Sequence, residues 1–419
     1  MSHLINEIVI AQKRGDAIGI ASICSAHPWV LRATMQGERP ILVESTCNQV
    51  NQFGGYTGMT PADFVRFIHN LAHECNFPKD RLILGGDHLG PGIWQNEPAS
   101  TAMQKSTEMV QAYIKAGYTK IHLDASMKLR DDDPSHPLDL GVVAYRTAIL
   151  AKAAELTMDP QAPPCYVIGS EVPKPGGALE PEAGIQVTSV RNVQQMLETT
   201  QEAFHRTGLD KAWERVLALV VQPGVEFGND FVLDYKPELT RDLAGYSEST
   251  AIIFEAHSTD YQTRNNLRRM VCDHFAILKV GPALTFAFRE AIFALARIEN
   301  ELIPAENHSN LIEVIEEVMV QHPQHWQKYY RGDEGDKRLA RKFSFSDRIR
   351  YYWKNPQVQI ALEQLLQNLG HKPLPVSLIR QYAPCQLKRI LKGESDNSPG
   401  AIILDKINSV LEDYTFACA

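Results

Sequence analysis

Eight short apolar runs, each set between stretches of helical pattern, constrain this chain more than any other feature. They are Ala17–Cys24, Pro40–Ser45, Arg81–Asp87, Lys120–Ala125, Cys165–Glu171, Arg215–Gln222, Ala251–Ala256 and Ala276–Val280. A strand with one wet face alternates apolar and polar residues. These runs are mostly apolar throughout, as expected of parallel strands covered on both sides by helices. The connections agree. Pro61–Glu74 is opened by Thr60, with Pro61 at the first helical position, and Ser100–Ala116 is closed by Gly117. Eight strand–helix units predict closure into a (βα)₈ TIM barrel, an α/β fold; an open doubly wound sheet would show the same alternation.

The polar residues favour the barrel, in which reactive groups gather on the loops that follow the strands. His27, Glu44, Asp87 with His88, Asp124, Glu171, Gln222, Glu255 with His257, and Lys279 each end or follow a different run. From residue 301 the rhythm stops. The expected division is a barrel over residues 1–300 and a mainly helical C-terminal extension over 301–419, with helices at Asn310–Gln321, Gln357–Leu369 and Ala401–Tyr414. Within the extension, Lys337–Lys354 (KRLARKFSFSDRIRYYWK) is basic and aromatic in an acidic chain. It reads either as a solvated amphipathic strip or as a phosphate or subunit contact.

A net charge of −8 over 419 residues gives no pull toward nucleic acid or anionic lipid, so small-molecule or protein partners are expected. The seven cysteines are scattered, without a Cys-x-x-Cys pair, which fits a reducing cytoplasm. No apolar stretch approaches the ~18 residues of a spanning helix. The P-loop, the dinucleotide-binding glycine fingerprint and the G-x-S-x-G elbow are all missing, so a nucleotide cofactor is not expected.

LILGGDHLGPGIW (Leu82–Trp94) puts a carboxylate and an imidazole at a strand end. Neighbours on a strand point to opposite sides, so Asp87 and His88 share a site only where the strand is ending. IFEAHSTDYQ (Ile253–Gln262) and VIGSEVP (Val167–Pro173) bring a second histidine and further carboxylates to the same face. Two histidines and a carboxylate make a usual divalent-metal set, here His88, His257 and Glu171 with zinc as the candidate ion. Asp87 and Glu44 are then the candidate proton carriers. The alternative is a structural hydrogen-bond network between His257 and Glu255. Gly54 and Gly55 in NQFGGYTGM, and Gly281 after Lys279, would let backbone N–H groups approach an anion. Lys279, with the helix starting near Thr285, suits a phosphate, and Asp124 and Gln222 complete the substrate-binding candidates.

The runs CSAHP (24–28), NQVNQFGGYTGMTPADF (48–64), LILGGDHLGP (82–91), KIHLDASM (120–127), VVQPGVEF (220–227), FEAHSTDYQT (254–263), DHFAILKVGPALTFAFREAIF (273–293) and SFSDRIRYYW (344–353) closely resemble the GatZ/KbaZ family. The KbaZ branch is the nearer. This resemblance implies a non-catalytic subunit of class II D-tagatose-1,6-bisphosphate aldolase. Such a subunit partners a Y-type subunit (GatY or KbaY) and is required for its full activity and stability, in an oligomer without aldolase activity alone. The pathway implied is breakdown of galactitol or N-acetylgalactosamine through tagatose 6-phosphate. Some chains of this kind carry a tagatose-6-phosphate kinase label, which the missing nucleotide loop contradicts.

More distantly, GGDH (85–88), HLDAS (122–126) and LKVGPALTFAFREA (278–291) are similar to strands of the catalytic class II aldolases. The match implies Asp87 as proton carrier and His88 as zinc ligand. Their sixth strand ends in a zinc-binding histidine; here VVQPG offers Gln222, a poor zinc ligand. Gly92 and Lys128-Leu129 depart from the accessory family's own pattern. A metal-dependent 4-epimerase acting on fructose 6-phosphate and tagatose 6-phosphate by retro-aldol chemistry is the rival expectation.

Overall fold

The computed structural model of the chain describes residues 2–169 and 186–419. Eight parallel strands, Ile20–Ile23, Ile41–Thr46, Leu82–Leu89, Lys120–Leu123, Cys165–Ile168, Val216–Val221, Ile253–Ala256 and Phe275–Val280, form a closed barrel. Closure is made by the first strand lying beside the last, from Ile20 opposite Ile277 to Ile23 opposite Val280. One strand falls in each of the eight apolar runs, and the open-sheet alternative is excluded.

Both faces of the strands are buried, which is why the runs lack alternation. Val43, Leu84, Ile121, Ile168 and Leu219 join the outer core with the helices. Leu42, Ile83, Val167, Ala218, Val220, Ile253 and Ile277 form a separate cluster with Ile5, Ile8 and Val9 of the N-terminal helix Ser2–Lys13. That helix plugs the bottom of the barrel. Two residues further along the same strands the interior turns polar: Leu42 is followed by Glu44, Ile253 by Glu255 and Ile277 by Lys279. A two-residue step keeps the same face, so one layer of side chains separates an oily floor from a charged mouth.

The predicted helix Pro61–Glu74 is present with those bounds, and Thr60 and Asp63 cap each other reciprocally. The next helix, Ala99–Lys115, starts one residue early. In the extension, helices occupy Leu311–Gln321, Pro356–Gly370 and Pro399–Ala417, near their expected places. The final helix is longer than expected and lies against Pro28–Thr34, Arg264–Cys272 and Pro282–Leu302, adding Ile402, Ile403 and Ile407 to the barrel's outer core. Its Tyr414 hydroxyl donates to Thr259 O at 2.9 Å, just beyond the seventh strand.

The solvated-strip reading of Lys337–Lys354 holds only in part: Arg338, Leu339, Phe343 and Lys354 are exposed, but other cations of the stretch are not. Arg341 is buried between Glu316 and Glu334 and lies over Trp326. Arg348 is buried over Tyr329, with its guanidinium carbon 3.2 Å from the ring centroid. Arg289 pairs with Asp347 behind them. Cation and ring account together for this composition.

Candidate functional site

The third strand does not end at Asp87. It runs to Leu89, with a register shift against the fourth strand between Gly86 and Leu89 and a left-handed φ of 51° at His88. The bulge breaks the two-residue alternation and brings Asp87 and His88 to one side. A histidine rarely adopts this backbone region, and strain of that kind collects at functional sites.

Three imidazoles meet there, their ring centroids 4.9–5.5 Å apart: His88, His257 and, from the fourth strand, His122. Each is held on one nitrogen by a carboxylate. His88 Nδ1 lies 2.9 Å from Asp124 Oδ2, His122 Nδ1 2.9 Å from Asp87 Oδ1, and His257 Nε2 2.9 Å from Glu255 Oε1. The His88 backbone N–H also sits 3.2 Å from His122 Nδ1. The ionised Asp87 beside it can only accept, so Nδ1 carries the hydrogen and the lone pair is assigned to Nε2. His122 Nε2 and His257 Nδ1 are buried without a protein partner. A carboxylate behind each ring fixes the tautomer and leaves a lone pair for a metal. Asp87, His88, His122 and His257 each offer one ligand atom, all within 4.8 Å of one another. The donor set suits a divalent transition metal.

Burial favours a neutral carboxyl at Asp87, but His88, Lys279 and the His122 hydrogen bond outweigh it and hold the group well below the usual carboxylate range. Burial, aided by the Lys279 charge, pushes His257 down to about 3 and lowers His88 as well. His257 is therefore neutral at pH 7, and His88 is biased the same way, as ligation requires. Asp124 is also held low, because its hydrogen bonds from His88 and Ser126 outweigh the burial penalty.

Below the rings, Lys120 Nζ stands 2.5 Å from Glu44 Oε1 and 2.6 Å from Glu255 Oε2, all three side chains fully buried. Ser22 Oγ donates to the other Glu44 oxygen at 2.5 Å. Burial would lower the Lys120 ammonium, but the two glutamates raise it. Burial raises Glu44; Glu255 is held low by Lys120 and His257 against the same penalty.

The candidates read from sequence thus fall into groups. Asp87, His88, Asp124, His257 and Lys279 converge, the Lys279 ammonium in close contact with Asp87 Oδ2. Glu44 lies one layer deeper. Gln222 faces its own loop, with Oε1 accepting from Gly224 N at 2.8 Å. Gly54 N and Gly55 N donate to Asn51 at 2.9 and 3.2 Å, so that loop's amides are spent internally. Gly281 N donates to Asp260 at 3.0 Å and Thr285 Oγ1 to Asp347 at 2.6 Å. Glu171 lies outside the described residues. His122 and Lys120 escaped sequence reasoning, although their signal was present: Lys120, His122 and Asp124 alternate through one strand, so all three face inward.

A closed parallel barrel with three carboxylate-backed histidines at the C-terminal ends of its strands defines the class: a TIM-barrel protein with a metal-type mouth. The chain belongs to the D-tagatose-1,6-bisphosphate aldolase subunit GatZ/KbaZ-like family, whose model matches residues 5–419. It is 51% identical to proteins named D-tagatose-1,6-bisphosphate aldolase subunit GatZ from Klebsiella pneumoniae subsp. pneumoniae and Salmonella dublin, over 99% of this chain and 99% of each relative. A crystal structure described as a probable tagatose 6 phosphate kinase from Sinorhizobium meliloti 1021 superposes with a TM-score of 0.89 at 43% identity, covering 96% of this chain and all of that one. Among the described residues no helix is long and apolar enough to cross a membrane.

Proposed function

We propose that this chain is the accessory (Z) subunit of a two-component D-tagatose-1,6-bisphosphate aldolase. It supports the activity and stability of a class II Y-type subunit in the cytoplasm and has no aldolase activity of its own. The observation that carries this is at the sixth strand. Where resemblance to the catalytic aldolases calls for a zinc-binding histidine, Gln222 stands with its amide turned to Gly224. Family membership over nearly the whole chain supports the same reading. Its pathway is tagatose 6-phosphate breakdown, fed by galactitol or N-acetylgalactosamine.

Zinc fits the donors that converge, His88 and His257 as first expected, with His122; Glu171, outside the described residues, stays a candidate on its sequence alone. When bound, the ion supplies Lewis acidity toward a sugar carbonyl or hydroxyl. Asp87, kept ionised, accepts a proton or a hydrogen bond beside it, while Glu44 acts on the deeper charges.

Co-expression with a Y-type subunit tests the proposal. Co-purification, with higher aldolase activity and a longer half-life than the Y-type subunit alone, is expected. No association and unchanged activity overturn it. Interconversion of fructose 6-phosphate and tagatose 6-phosphate by the purified chain alone would make it an epimerase instead.

A further inference from the structure

The mouth cavity, about 110 Å³ and lined by His88, His257 and Lys279, adjoins a second chamber of about 390 Å³. The chamber lies between the loop after the first strand, the 48–59 loop and the extension. Arg350, Tyr351, Gln49 and Tyr56 line both spaces. In a chain of net charge −8, the chamber is lined by no carboxylate and by two cations, Arg350 and Lys354. Among the described residues neither cation has an acidic partner within ion-pair distance.

These groups are held ready for a ligand. Arg350 Nη1 donates to the carbonyls of Ser346 and Asp347, and Nη2 donates to the Tyr351 hydroxyl at 2.9 Å. Three of five guanidinium N–H groups are thereby used, which fixes the plane and leaves Nε–H and one Nη2 N–H as a fork. Lys354 Nζ is tethered by one bond to Thr57 O at 2.7 Å, with two N–H groups to spare. Trp353, only 2% exposed, lines the same chamber with an indole N–H that lacks an acceptor, and His27 lines it with an unpartnered Nδ1.

The usual anion site of such barrels is closed. The helix Pro282–Leu302 follows the last strand, and its N-terminal amides, Gly281 N and Ala283 N, both donate to Asp260 Oδ1 at 3.0 and 2.8 Å. A phosphate there would meet a carboxylate. The nearest arrangement of fixed positive charge and free donors is the chamber.

We propose that this chamber is a phosphomonoester subsite, in which Arg350 and Lys354 hold the phosphate of a sugar phosphate whose carbonyl end reaches the histidines of the mouth. Arg350 gives the bidentate contact and Lys354 the second charge. The extension is then part of the binding site rather than an appendage. This goes beyond the accessory-subunit reading and is measured on the isolated chain, whereas that reading is decided by co-expression, so either can fail alone.

Calorimetric titration of the full chain with fructose 6-phosphate and with fructose as probes decides it. Binding of the phosphate ester alone is expected, weakened tenfold or more in Arg350→Gln and severalfold in Lys354→Met, with Arg338→Gln on the same basic stretch unchanged. Arg350 also ties two carbonyls, so Lys354→Met, at an exposed residue with one hydrogen bond, serves if Arg350→Gln fails to fold. No binding of the ester, equal binding of both sugars, or wild-type affinity in the folded variants overturns the proposal.

Discussion

His88 and Asp124 are bound across neighbouring strands, Nδ1 to Oδ2 at 2.9 Å, and the carboxylate takes further hydrogen bonds from Ser126 N and Oγ at 3.0 and 2.6 Å. Asp124 is therefore itself held in place, and through it the His88 ring on its strained backbone. Asp124→Asn keeps the shape but removes the charge that sets the tautomer. Zinc affinity, measured by competition with a chromophoric chelator, is expected to fall about 10–100-fold, with the circular dichroism spectrum unchanged. Unaltered affinity would remove His88 from the ligand set.

Lys120 joins two glutamates, all three side chains fully buried. Lys120→Met leaves two buried carboxylates facing each other, and the expected destabilisation is about 3–5 kcal/mol at pH 7. The sign of the pH dependence reverses at Glu255, whereas burial already raises Glu44 in the wild type. In the wild type Glu255 is held below its ordinary value by Lys120 and His257, so its contribution is present above the unfolded pKa and lost on acidification. Without the ammonium the pair binds a proton more tightly folded than unfolded, so the variant should regain stability from pH 7 toward pH 5. Denaturant midpoints across that range measure it.

Much of this was legible in the sequence. The barrel was, because eight runs apolar on both faces leave few other homes for their side chains. Asp87, His88 and His257 were, because they end or follow apolar runs. Four features were not. The bulge that lets Asp87 and His88 share a side is set by pairing with the fourth strand. His122 and Lys120 sit inside a strand, and attention to strand ends passed over them although their alternation with Asp124 was visible. Asp260 lies 21 residues from Gly281, and only closure of the barrel brings it onto the helix end. The N-terminal plug was hidden for a simpler reason: Ile5, Ile8 and Val9 on a 12-residue helix carry little signal until the barrel floor they cover is known.

Glycine content separates into packing and entropy. A Cβ on Gly85 would stand 2.5 Å from Glu44 Oε1 and 2.7 Å from its Cγ, inside the buried ionic layer. Gly245 lies within the helix Pro237–Glu248 and meets nothing within 4 Å. Gly85→Ala is expected to cost about 1–3 kcal/mol by overpacking, and Gly245→Ala to add about 0.5–1 kcal/mol by restricting the unfolded chain. Urea unfolding of the two variants side by side checks both signs.

Asp260 carries the clearest pH signature. Burial pushes its carboxyl up to about 6, even though Gly281 N and Ala283 N donate to it. Unfolded, the same group titrates near ~3.9. The folded state therefore binds the proton more tightly, and stability from this residue is fully present below about pH 4 and lost as pH rises through about 6. Asp260→Asn keeps an oxygen to accept both helix-end bonds and carries no charge. At pH 4 wild type and variant should be close in stability; by pH 8 the variant should gain on the wild type by about 3 kcal/mol, the value of roughly two pKa units. The comparison also probes the anion site. The amide oxygen of the variant still accepts from Gly281 N and Ala283 N, so inorganic phosphate should gain no site at the helix end, and phosphate binding should stay as sensitive to Lys354→Met as it is in the wild-type background.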